Sequence, residues 1–245
     1  MPLKTQEAVE LGERVAALVA QGQITKAHTL VAPVLAQRTP FRLLGRIGEA
    51  AGAGPLQEVN RFLESVARAK TEGGWVVIGS ALGQQFGRDP AGSFARCRTF
   101  VVAADVWYAT DILGERLPGP ALLAEFQAAL DLLAPWRADA NRWVRRTVGV
   151  AVHFWAKRSR GAESQTLGAG MLLALLEPLF EERDMDALKG IGWGLKTLAR
   201  HFPDLATDWL VGQVVERRRR PRALMLRKAL TYLPPGHRAR VMSSS

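Results

Sequence analysis

Apolar residues recur at helical spacing along nearly the whole chain, and the alternation that marks strands is almost absent. This pattern confines the fold to the all-α class. Leu11, Val15, Leu18 and Val19 mark a first amphipathic helix that ends near Gly22, and Leu30, Val31, Val34 and Leu35 mark a second. Further helices are expected over roughly 41–51, 55–70, 74–86, 92–114 with an internal break, 120–134, 139–158, 166–180, 185–201, 204–217 and 221–232. Gly and Pro clusters separate them, at Gly52 to Pro55, Gly73 and Gly74, Pro118 to Pro120, Pro203, and Pro234 to Gly236. Helices this short, joined by brief breaks, fit stacked helical pairs better than a four-helix bundle. The expectation is a HEAT-like helical-repeat solenoid, an α-α superhelix with degenerate repeats. It would form one domain over residues 1–245, curved to give a concave basic surface. An irregular helical domain would share the same pattern.

Lys and Arg number 33 against 23 Asp and Glu, a formal charge of +10. Each cation that neutralises a phosphate releases a condensed counterion, so the excess favours a polyanionic partner, nucleic acid first. Neither end of the sequence carries a basic amphipathic helix with a strongly apolar opposite face, so a membrane partner is not expected. Cys97 is the single cysteine, and His28, His153, His201 and His237 lie far apart without ligand spacing; no metal is expected. Lys4, Glu7, Glu10, Glu13 and Arg14 interrupt any signal-peptide core, so the chain is expected in the cytoplasm, and on the nucleoid when bound to DNA. Nucleophile-elbow, P-loop, dinucleotide and zinc-deaminase motifs are missing.

Three helices carry the chemistry. In the first, Val102, Val106, Ala109 and Leu113 share one side, while Trp107 and Asp111, four apart, are neighbours on the other, flanked by Ala104 and Tyr108. In the second, Leu188, Ile191, Leu195 and Leu198 form the apolar stripe. Trp193 points nearly opposite, between Gly190, Gly194 and Thr197, with Lys189 and Arg200 at the edges. Each interior helical glycine costs about 1 kcal/mol relative to alanine, so the pair asks for a close approach, by another helix or by a ligand. In the third, Val144, Val148, Ala151 and Trp155 are core, and Arg142, Arg146, Gly149, His153 and Lys157 make a basic stripe along which a phosphate backbone would fit. The run Arg217 to Arg220 with Arg222, then Arg227 and Lys228, is either a solvated turn or a phosphate clamp in which Arg218 and Arg219 take part. Glu181, Glu182, Asp184 and Asp186 read as the acidic charge preferred at a helix N-terminus.

The segments VWYATD, NRWVRRTVGVAV, LKGIGWGLKTLARHFPDLATDWL and RALMLRKAL, in this order over about residues 74–232, resemble the AlkD-type bacterial DNA alkylation-repair glycosylases. Residues 1–73 share only helical pattern with them. The resemblance implies a HEAT-like protein that removes cationic bases such as N3-methyladenine and N7-methylguanine from double-stranded DNA without flipping them. By position, Asp111 would be the catalytic aspartate, Trp107 the aromatic one turn before it, Trp193 the tryptophan of the IGW motif and Arg146 the backbone-contacting arginine. Val106 stands where an aromatic is common, Tyr108 replaces a polar residue, and the segment between Lys157 and Met185 is longer.

The expected chemistry follows from the lesion. An alkylated base is already a good leaving group, so a carboxylate facing the oxocarbenium-like sugar and two indoles are sufficient, and no cofactor is needed. Arg146, Arg142, Tyr108, His153, Lys157, Lys189, Arg218, Arg219, Arg227 and Lys228 are the expected DNA contacts of a monomer. The same surface would serve a catalytically silent DNA-binding protein. A scaffold for an acidic protein partner would instead bury Trp107 and Trp193 between helices.

Overall fold

A computed structural model describes residues 3–243; the two residues at either end of the 245 lie outside it. Every regular element among the described residues is helical. They gather into two compact units that divide between Leu117 and Pro118.

The first unit holds α1 (Thr5–Ala20), α2 (Ile24–Leu35), α3 (Phe41–Gly52), α4 (Leu56–Ala67), α5 (Glu72–Gln85), α6 (Pro90–Ala104) and α7 (Trp107–Arg116). Helices α1, α3, α5 and α7 pack side by side in that order as one layer. Helices α2 and α4 pack on each other behind it, and α6 rests on α5 and α7. This is the HEAT-like pairing expected from the sequence. Because α5 has neighbours on both flanks, it buries Trp75, Val76, Val77, Ile78, Ala81 and Leu82 around most of its circumference. Its start is set by Thr71, whose hydroxyl accepts the Gly74 N–H at 3.1 Å. Asp89 caps α6 ahead of Pro90 and pairs with Arg96 at 2.8 Å. That guanidinium and the Gly92 N–H hold the Asp89 carboxyl below its ordinary range.

The second unit holds α8 (Pro118–Ala124), α9 (Phe126–Leu133), α10 (Arg142–Ser159), α11 (Thr166–Leu176), α12 (Met185–His201), α13 (Pro203–Val211), α14 (Ala223–Leu230) and α15 (Pro235–Met242). Here α8, α10, α12 and α14 form the continuous layer, while α9 covers α8 and α11, α13 and α15 follow one another behind. Val144, Val148, Ala151 and Trp155 are buried as expected, as are Leu188, Ile191, Leu195 and Leu198. The Trp155 ring lies 5.8 Å from Phe126 and 6.1 Å from Phe202, so this aromatic cluster anchors the layer by roughly 4 kcal/mol per buried ring.

Two expectations about breaks were wrong. The segment expected as one helix over 120–134 is α8 and α9, separated at Glu125, and α15 was missed because Pro234 to Gly236 read as a stop. In both places a proline begins a helix: at the first turn its missing N–H costs nothing and its φ is already helical. Arg238 of α15 then donates to the carbonyl oxygen of Leu233 at 2.7 Å, tying α15 to the end of α14. No helix among the described residues is long and apolar enough to cross a membrane.

Candidate nucleic-acid interface

The expected site residues fall into two groups, one in each unit. In the first unit the break expected within 92–114 is sharp. Helix α6 stops at Ala104, Asp105 takes the left-handed conformation with φ 50°, and Val106 is extended with φ −150°. Trp107 is therefore the first residue of α7 and Asp111 stands one turn later. The break corrects the expected apolar stripe. Val102 and Ala104 belong to α6, where Val102 is exposed and Ala104 buried, and α7 docks through Ala109, Ile112 and Leu113. The Trp107 indole is 57% exposed, as its place off the stripe required, with the Tyr108 ring edge-on at 5.9 Å. Asp111 and Tyr108 are half-buried.

In the second unit, α10 and α12 meet backbone to backbone. A Cβ at Gly149 would lie 2.3 Å from the carbonyl oxygen of Gly190, and one at Gly194 would lie 2.7 Å from that of Gly149. The glycines flanking Trp193 thus answer to a neighbouring helix. Two side-chain anchors set this pairing. Asp184 caps α12, accepting the N–H groups of Asp186 and Ala187 at 2.8 and 3.0 Å, and Arg145 grips Glu182 through Nε at 2.6 Å and Nη2 at 3.3 Å. Burial works to raise the Glu182 carboxyl, but Arg145 and the N–H groups of Asp184 and Arg183 hold it below its ordinary range. The acidic run before α12 is a cap and an anchor.

This pairing overturns the open basic stripe. Gly149 is no gap for a phosphate, because the α12 backbone occupies it. Arg146 is 6% exposed: its stem lies against Gly190, and its Nη1 donates to the Asp186 carbonyl oxygen at 2.9 Å. His153 is 7% exposed and stacks on the Trp193 indole with centroids 3.7 Å apart and planes 21° apart. Burial, then Lys157, His201 and Lys196, push its pKa down to about 4, so the ring is neutral near pH 7 and adds no positive charge. Of the stripe, Arg142 and Lys157 are exposed. Arg142 lies 4.8 Å over the Trp143 ring and 3.7 Å from the Asp186 carboxylate, which also stands 3.8 Å from Lys189.

The cations converge elsewhere. Lys228 of α14 lays its stem over Gly192, where a Cβ would be 2.5 Å from its Cδ. Burial and the charges of Lys196, Arg146, Arg227 and Lys189 hold its pKa below the ordinary lysine value. A group of positive charges maintained against mutual repulsion beside Trp193 is suited to an anion. Sequence reasoning named Lys189, Arg227 and Lys228 but missed Lys196; its place three residues after Trp193 was the available signal. Lys196 and Arg200 lie 4.6 and 5.0 Å over the Tyr232 ring.

The Arg-rich turn divides. Arg219 donates to the Glu177 carbonyl oxygen at 2.7 Å and Arg217 pairs with the Glu177 carboxylate, while Arg222 donates to the Arg183 carbonyl oxygen at 2.6 Å. Arg219 is thus a brace rather than part of an open clamp, whereas Arg218, with a left-handed φ of 50°, is exposed.

Comparison with known proteins bears on the family and the fold. No curated protein matches the chain. Among solved structures, the alkylpurine DNA glycosylase AlkC of Pseudomonas fluorescens, bound to DNA containing an abasic site analog, superposes with a TM-score of 0.56 at 16% identity. The match covers 91% of this chain and 62% of that one, so this chain spans less than two thirds of the AlkC length; the likeness shows the shared fold. The family described as DNA alkylation repair enzyme matches residues 60–233, beginning earlier than the resemblance read from the sequence and crossing both units. With well over half of its length matched, the chain belongs to the DNA alkylation repair enzyme family.

Proposed function

We propose that this protein is a DNA glycosylase that hydrolyses the N-glycosidic bond of cationic alkylated bases, such as N3-methyladenine and N7-methylguanine, in double-stranded DNA. The observation that carries the reading is the start of α7. There a kinked entry presents a 57% exposed indole one turn before a carboxylate, within a chain of this family. Family membership over residues 60–233 and the likeness to AlkC support a DNA substrate.

Alkylation at a ring nitrogen makes the base a cation, so the C1′–N bond breaks with its electron pair leaving on the base, which departs neutral. The sugar gains oxocarbenium character, and the Asp111 carboxylate stabilises that charge more in the transition state than in the ground state. Water adds to C1′, and its proton passes to Asp111 or to solvent. Trp107 and Trp193 offer aromatic faces to the cationic base and sugar, each worth about 0.5–2 kcal/mol. Lys189, Lys196, Arg227 and Lys228 hold phosphate without reading sequence, and Arg142, Lys157 and Arg218 extend the contact. Arg146 acts from beneath this surface, by its charge and by fixing α10 to α12. Selectivity then rests on the lability of the lesion, with no base flipping.

The deciding experiment incubates methylated duplex DNA with the wild type and with Asp111→Asn, and separates released bases by chromatography. The variant is expected to keep its duplex affinity and to lose about a hundredfold to a thousandfold in excision. Equal release by both proteins would remove Asp111 from the mechanism. No release by the wild type would leave a DNA-binding protein without glycosylase activity.

A further inference from the structure

The stack of His153 on Trp193 has no place in the chemistry above, although it joins α10 to α12 through a buried imidazole and a half-buried indole. Two hydrogen bonds at Thr197 link the ring to α12. Thr197 Oγ1 has one proton, which it donates to the Trp193 carbonyl oxygen at 2.9 Å. The same oxygen lies 2.7 Å from His153 Nδ1, a second hydrogen bond that ties the ring to α12. The imidazole is thus fixed in place from two sides. It is tethered to the residue one turn after Trp193 and pressed against one face of the indole at 3.7 Å. Trp193 is half-buried, with Gly192 and Gly194 as its chain neighbours, so no side chain beside it in sequence competes for the rest of the ring.

We propose that His153 and Thr197 are positioning residues for Trp193, a plate and its tether that fix the indole so that its remaining surface meets a cationic ligand. The proposal rests on the reading that Trp193 meets the alkylated nucleotide. Two physical consequences follow. A preset ring gives up less rotamer freedom when the ligand arrives than a free one. An uncharged plate also leaves the negative π-face for the ligand, where a charged imidazolium would draw on the same quadrupole and repel the lesion. Burial first, and then Lys157 on α10 with His201 and Lys196 on α12, disfavour that charged form.

The test uses a duplex with a single N7-methylguanine, single-turnover excision at saturating enzyme, and duplex affinity. The variants are His153→Ala, His153→Phe, Thr197→Val and Trp193→Ala. We expect His153→Ala to slow excision about tenfold with affinity changed less than about twofold, the scale of one cation–π contact. His153→Phe, which restores a flat plate, should recover most of that rate, and Thr197→Val should lose about threefold. If Phe rescues no better than Ala, or the loss lies only in affinity, the proposal fails. Wild-type rates for both His153→Ala and Thr197→Val, with Trp193→Ala slow, would sink the positioning role alone; a wild-type rate for Trp193→Ala would sink the assignment of Trp193 itself. Trp193 emission, read as the difference between each protein and its Trp193→Phe counterpart, supplies a measurement independent of excision. It should shift in both His153→Ala and Thr197→Val, and emission unmoved in both overturns the proposal whatever the rates.

Discussion

On α7 the indole of Trp107 stands at the first residue of its helix, 57% exposed, with the Tyr108 ring edge-on beside it. On α12 the indole of Trp193 sits in mid-helix, half-buried, pressed on His153 in a seam where backbone meets backbone. Both rings leave the apolar stripe of their helix, yet only the second is stacked within a seam between two helices. The difference is one of cost. A ligand that engages Trp107 must itself fix the ring, whereas the orientation of Trp193 was set when α10 docked on α12. The α7 group is therefore replaceable without harm to the fold, while the α12 group is part of it.

The largest test of this contrast is Gly149→Ala. Its new Cβ would meet the Gly190 carbonyl oxygen at 2.3 Å, and backbone cannot rotate aside. Denaturant melts should show a loss of more than about 3 kcal/mol; a variant as stable as wild type would mean that the seam is loose. Next is pH. The pKa of His153 falls from 6.5 to about 4 on folding, so the folded state prefers the neutral ring. Its contribution is intact above about pH 6.5 and is lost as pH falls toward about 4, by up to about 3 kcal/mol. His153→Phe should lack this component of the pH–stability curve, and parallel curves for the two proteins would refute the buried, neutral assignment.

A smaller effect separates the two indoles directly. Trp193→Ala should lower stability by about 2 kcal/mol and Trp107→Ala by less than about 0.5 kcal/mol, while both slow excision. Equal thermal shifts would erase the distinction between a built ring and a free one. The mildest change concerns charge: Lys196→Ala and Lys228→Ala should each reduce the salt slope of duplex binding by about 0.9 at most. Unchanged slopes would move the phosphate contact away from α12 and α14.

Much of this was legible in advance. Leu188, Ile191, Leu195 and Leu198 gave the docked side of α12, Trp155 was recognisable as core, and Asp184 with its acidic neighbours announced the start of α12. A break somewhere within 92–114 was expected, but not its position at Asp105, which cuts the stripe expected from Val102 to Leu113. What escaped was the second face of each layered helix. Arg146, Gly149 and His153 were read with Arg142 and Lys157 as one open basic stripe because periodicity marks the apolar side, and a helix flanked on both sides also buries polar groups. Lys196 was passed over for a related reason: its significance comes from Lys228, brought beside it from another helix.

By itself, the sequence determined an all-helical chain, its family, the apolar stripe of each central helix and the outward turn of two tryptophans. These follow from a 3.6-residue period and from motif order, which are local properties. Only the tertiary structure decided that Gly149 and Gly190 touch, that Arg146 and His153 lie beneath the surface, and that Lys189, Lys196, Arg227 and Lys228 gather beside Trp193. Each of those depends on a partner from a different helix, and no local pattern records how closely two backbones approach.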